Sequence, residues 1–92
     1  MVRPNKNRMI KFNPNIIYYK PAGVPMRELE EEVLGMDEIE AIRLCDNKGM
    51  KQEQAAITMK ISQSTLFRIL KTARKKIANA LIKGKAIRID KK

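Results

Sequence analysis

Apolar residues in the second half of the chain recur with the 3.6-residue period of a helix, whereas both ends carry short stretches better suited to strands. From Gly49 the run GMKQEQAAITMKISQSTLFRILKTARKKIANALI predicts a short helix from about Lys51 to Met59, a tight turn through Lys60 and Ile61, and a long helix from Ser62. Ser62 is placed to cap the long helix by accepting a backbone N–H from Ser64 or Thr65. On a 100° wheel Leu70, Ala73 and Ile77 fall within about 40° of Leu66, and Ile69, Ala80 and Leu81 widen that stripe. Ala56 is small enough to let two helices approach, Ile61 stands where it plugs the angle between them, and Gly84 stops the helix. This spacing is that of a helix-turn-helix.

Upstream, DEIEAIRLCD predicts another helix, with Asp37 and Glu40 spaced as a capping box, Ile39, Ile42 and Leu44 facing inward, and Asn47-Lys48-Gly49 as its break. Behind Pro25, the residues Met26, Leu29 and Val33 sit at i, i+3 and i+7, and Glu28, Glu30, Glu31 and Glu32 crowd the positive end of a helix dipole. These predict a short helix to Leu34, ended by Gly35. Residues 8–19, RMIKFNPNIIYY, predict two short strands about the turn Asn13-Pro14-Asn15, and KPAGVP is a loop. KAIRID predicts one more strand, able to pair with the N-terminal strands or with a second chain. The expected fold class is mainly α: a helix-turn-helix domain of three to four helices with short β-strands at the N- and C-terminal ends. Its parts are an N-terminal arm (1–25), a helical domain (26–84) containing the helix-turn-helix (51–82), and a C-terminal strand and tail (85–92).

At 92 residues the chain has room for one core. Its net charge of +10 is unevenly spread, with balances of +2, −2 and +10 over residues 1–35, 36–59 and 60–92. The positive field therefore comes from the last third, where it acts on a polyanion. A single Cys and no His exclude a disulfide framework and a Cys/His zinc site within one chain; no metal and no cofactor are expected. Cys45 reads as a small core residue, and the six Met residues as fillers of core gaps. No apolar run approaches the roughly 20 residues of a membrane span, and MVRPNKNRMI lacks the apolar stretch of a signal peptide, so a cytoplasmic protein is expected. Without a His base or a Gly-rich phosphate loop, no catalytic residues and no enzyme activity are expected.

The rotation that buries the apolar stripe of the long helix presents Ser64, Arg68, Lys71 and Lys75 on its other side, with Arg74 and Lys76 on the flanks. In a helix-turn-helix the first helix crosses the sugar-phosphate backbone and the first turns of the second enter the major groove. The candidates for base edges are Gln63, Ser64, Thr65 and Arg68. Gln pairs bidentately with adenine, Arg with guanine, and the Thr methyl packs on thymine. Lys71, Arg74 and Lys75, with Lys51, Gln52 and Lys60 at the ends of the first helix, are candidate phosphate contacts, which position the protein rather than specify sequence. Plainer roles stand beside these. Thr65 can simply cap, Lys76 can be solvated, Phe67 is expected to pack on the N-terminal arm rather than lie exposed on the DNA side, and Tyr18 and Tyr19 read as strand and interface residues. The expected function is sequence-specific binding of double-stranded DNA by a transcriptional regulator. A homodimer is expected from the small size of one reading head and from the β-prone ends. One alternative is an interaction module that binds RNA polymerase or another regulator without reading DNA. A second is an RNA-associated basic protein, disfavoured by the scarcity of aromatics for stacking.

The stretch from Gly49 to Ile77, with SQSTLFRIL and TARKKI, resembles the helix-turn-helix of sigma-factor region 4. Over nearly the whole length, the order RPNK, YYKPAGVPMRELEEEVLGMDEIEAIRL, the motif and then ANALIKGKAIRI is similar to a family of small uncharacterised prokaryotic proteins described as DNA-binding. The resemblance implies a fold and a DNA-binding role, with the long helix reading promoter-type elements, but no target. Three departures stand out. Lys51 replaces the Ser or Thr that often caps the first helix, and Lys60 replaces a Gly that suits a left-handed turn. Asn7 and Lys11 stand where relatives often carry Cys, which removes any implied thiol or metal role for the arm.

Overall fold

Three helices form where the helical period places them. The computed structural model describes residues 17–91, of which α1 spans Met36–Ile42, α2 Gln52–Met59 and α3 Gln63–Lys83. The fold is mainly α, with short strands toward both ends. α3 starts on the Ser62 hydroxyl, which accepts a bond from the Thr65 backbone N–H at 3.1 Å, and it ends on Gly84 in the left-handed conformation (φ 68°). α1 continues into a single wide turn over Arg43–Asn47, where the Lys48 N–H reaches back to the Arg43 carbonyl, five residues away, at 2.9 Å. Gly49, at φ 76°, then turns the chain into α2.

The core between the helices is built from Ala41, Leu44, Ala55, Ala56, Leu66 and Leu70, all buried, with Ile42, Cys45, Met50, Met59, Ile61 and Ile69 packed around them. Leu66 and Leu70 are the largest fully buried side chains of the described residues. Ala56 and Ile61 take the places expected of them, a small contact residue and a plug beneath the turn. Burial, and secondarily the Asp46 carboxylate, pushes the Cys45 thiol above its ordinary range and keeps it protonated. The apolar stripe of α3 narrows at its end, however. Ala80 is buried, but Leu81, expected to widen the stripe, is 73% exposed and lines an open surface pocket with Tyr19, Pro21 and Ile87.

Residues 26–34 do not form the expected helix. Met26–Glu28 make one 3-10 turn, and Glu31–Gly35 are a strand, β2. The sheet is completed by β1, Tyr18–Tyr19, and β3, Ala86–Asp90, in the order β1-β3-β2. β3 runs parallel to β2, in the register Glu32↔Ile87 and Leu34↔Ile89, and antiparallel to β1, with Tyr18 opposite Arg88. The C-terminal strand therefore has both its edges paired within the chain. The other part of the predicted N-terminal hairpin lies outside the described residues.

Pairing decides this region against its helical period. Lys85 lies 3.1 Å from Glu32 and Arg88 3.1 Å from Glu31, so the acidic run is neutralised by the start and middle of β3 rather than by a helix dipole. Glu32 also accepts a bond from the Asn79 amide of α3, which ties the sheet to the helix. α1 begins directly where β2 ends, which moves its cap two residues earlier, from the predicted Asp37 to Gly35. The Gly35 N–H donates to the Glu38 carboxylate at 2.9 Å, whereas Glu40 pairs with Arg43.

These pairs set the acid response. The Lys85 ammonium beside Glu32, and the Arg43 guanidinium beside Glu40, hold both carboxyls below their ordinary value of 4.5. A carboxyl whose pKa is lower folded than unfolded contributes stability above the unfolded value and loses it as pH falls through the folded one. Unfolding free energy is thus expected to decline as pH drops below about 4.5. Denaturant titrations at a series of pH values should show that decline made shallower by Glu32→Gln.

Candidate nucleic-acid interface

Because α3 buries Leu66, Leu70, Ala73 and Ala80 on one side, its rotation fixes what faces outward. Ser64, Arg68, Lys71 and Lys75 are all exposed and fall within about 60° of arc. Gln63 is exposed at the first turn. None of Arg68, Lys71 and Lys75 pairs with a carboxylate of the described residues, and neither do Lys51 and Lys60 at the two ends of α2. Five cations thus stand without a carboxylate partner among the described residues, three on the α3 ridge and two at the ends of α2, and an external polyanion would neutralise them.

Other candidates are held elsewhere. The Arg74 guanidinium forks onto Asp46 through bonds of 3.0 and 2.6 Å, an exposed pair that joins α3 to the wide turn after α1. A phosphate would compete with that carboxylate for it. The Lys76 ammonium is turned inward, donating to the Val33 carbonyl at 2.7 Å and to Glu38 at 2.9 Å. Thr65 is half-buried and its oxygen accepts the Ser62 hydroxyl proton at 2.8 Å, so its hydroxyl serves the start of the helix. Gln52 is half-buried in the first turn of α2. Lys51 sits at the N-cap of that helix without a side-chain bond to it, so the first-turn amides lack a side-chain acceptor at their positive end.

Lys60 ends α2 at φ 61° and ψ 43°, the one non-glycine residue with positive φ among the described residues. For a residue with a Cβ this conformation costs roughly 1–2 kcal/mol. Glycine there would relieve it at the cost of about 0.5–1 kcal/mol in unfolded-chain freedom. Lys60→Gly is therefore expected to raise unfolding free energy by about 0.5–1 kcal/mol, read from denaturant midpoints.

Phe67, expected to pack on the N-terminal arm, is 53% exposed and lies about 40° around the helix from Lys71, at the edge of the ridge. The first sixteen residues of the arm expected to cover it lie outside the described residues. Tyr18 and Tyr19 are strand residues, 39% and 54% exposed. Among the described residues no cluster of His, Cys, Asp or Glu is arranged to hold a metal, and no helix is long and apolar enough to cross a membrane.

Comparison with known families places the whole chain. The family described as protein of unknown function DUF134 matches residues 1–91. The chain belongs to the DUF134 family. Its relatives are UPF0251 proteins. That of Caldanaerobacter subterraneus subsp. tengcongensis is 51% identical over 90 residues, covering 98% of this chain and 76% of the relative. That of Moorella thermoacetica is 52% identical, covering 98% and 60%, and one from Dehalococcoides mccartyi is 51% identical, covering 98% and 77%. No solved structure matches the chain. Membership in DUF134 thus fixes kinship over the full length and leaves the activity to be argued from the ridge.

Proposed function

We propose that this DUF134 protein is a sequence-specific binder of double-stranded DNA, acting as a transcriptional regulator through a helix-turn-helix like that of sigma-factor region 4. The observation that carries the reading is the outward ridge of α3, where Ser64, Arg68, Lys71 and Lys75 stand exposed and without acidic partners opposite the buried Leu66, Leu70, Ala73 and Ala80. α2, joined to α3 through Lys60, Ile61 and Ser62, offers Lys51 at its amino end and Lys60 at its carboxyl end. That is the disposition in which a first helix spans the phosphate backbone while a second lies in the major groove. Gln63, Ser64 and Arg68 lie on the first two turns, where base edges are in reach, and Lys71 and Lys75 lie further along, where phosphates are. Lys60 supports the same reading. A cation is kept in a conformation that glycine would hold with less strain, as happens where charge matters more than stability.

The division of labour is testable by two substitutions. Arg68→Ala is expected to relax preference at one base position, at roughly 1–3 kcal/mol of discrimination. Lys75→Ala is expected to weaken all sequences alike and to flatten the salt dependence by about one unit. Binding measured by fluorescence anisotropy on a duplex selected from a random library, and on its scrambled counterpart, separates the two. Identical effects of both changes on both duplexes would remove the assignment.

A further inference from the structure

We infer that Phe67 is a specificity residue of the α3 ridge and that its ring packs on the 5-methyl group of a thymine in the major groove; the inference rests on the DNA-binding reading above. Phe67 is 53% exposed although the ring is among the largest apolar side chains of the protein. It follows Ser64 by three residues and precedes Lys71 by four, the two spacings that make side chains neighbours on a helix. On the wheel it lies about 40° from Lys71 and about 60° from Ser64. Along the axis it stands roughly 6 Å beyond Gln63, within the span of a helix that a groove about 12 Å wide accommodates.

The surroundings limit what can cover the ring. An occupant of the ridge must present anions to Arg68, Lys71 and Lys75 and, beside them at the Lys71 edge, an apolar group against the ring. A duplex major groove offers that pairing, with phosphates along its walls and the thymine methyl on its floor as the apolar group of a standard base pair. An uncharged protein surface would leave the cations desolvated and unpaired. A purely phosphate-directed surface would have no use for an exposed phenyl ring, which is left hydrated at a cost that a polar residue would avoid.

The test uses the full chain and two random duplex libraries, one synthesised with thymine and one with uracil, which differ only in that methyl group. Wild-type protein is expected to select a site containing a thymine from the first library. Uracil placed at that one position should weaken binding by roughly fourfold, the effect of losing one buried methyl-sized group. Phe67→Ala should bind thymine and uracil versions of that site equally while keeping its preference at the position read by Arg68. Because the ring is exposed, the variant should keep the wild-type circular dichroism spectrum and thermal transition. Phe67→Met, which retains apolar contact, should keep part of the discrimination. A uracil effect that persists in Phe67→Ala, or no uracil effect at any position of the selected site, would overturn the role of Phe67 and leave DNA binding standing. Failure of the wild-type chain to enrich any duplex would overturn the DNA-binding reading itself.

Discussion

Leu66→Ala is expected to lower unfolding free energy by about 2–5 kcal/mol, the largest effect of any single substitution proposed for this chain. Leu66 has no exposed surface and lies in the cluster where α1, α2 and α3 meet. Truncation removes the transfer free energy of the buried atoms and leaves a cavity among Ala41, Leu44, Ala55, Ala56 and Leu70, which packing on all sides lets relax only in part. A domain of this size has a total stability of about 5–15 kcal/mol, so a substantial part is at stake. Urea denaturation followed by circular dichroism measures the loss. DNA affinity should fall with it, because the groove-facing ridge is held in position by the packing on the opposite side of the same helix.

Glu38→Ala is expected to cost about 2–3 kcal/mol, for a different reason. Glu38 is buried to 8% exposure, accepts the Gly35 N–H at the start of α1 and accepts Lys76 from α3. Alanine removes a charge-assisted bond, a helix-start acceptor and the counter-charge of an ammonium that keeps only the Val33 carbonyl. The loss stays below that of a fully buried pair because the Lys76 side chain retains 31% exposure and can draw on water. Glu38→Gln, which preserves the acceptor for Gly35 but not the charge, should lose less, and comparing the two by denaturant midpoints separates the cap from the ion pair.

The helical half was legible because its determinants are local. Ser62, Gly84 and the spacing of Leu66, Leu70 and Ala73 each act within one turn, and together they fix the rotation of α3 and hence which residues face outward. The Glu-rich stretch before α1 was misread for the converse reason. Its partners, Lys85 just before β3 and Arg88 within it, lie more than fifty residues later, and no periodicity within residues 26–34 encodes that pairing. The candidate site divides along the same line. A wheel puts Arg68, Lys71 and Lys75 on the outward side with Arg74 and Lys76 on its flanks, but only tertiary structure brings Asp46 to Arg74 and Glu38 to Lys76. Lys60 is an intermediate case, since the turn's need for a left-handed residue was visible and the lysine there ran against it.

The measurement that bears most directly on the ridge is the affinity of the intact chain for a selected duplex as a function of salt. With Lys51, Lys60, Lys71 and Lys75 each neutralising one phosphate, the logarithm of affinity should fall against the logarithm of salt with a slope of about −3.6, a loss of roughly a hundredfold between 50 and 200 mM. Lys71→Ala should remove about one unit of that slope. A slope near zero, or one that the substitution leaves unchanged, would contradict the assignment of this face to DNA.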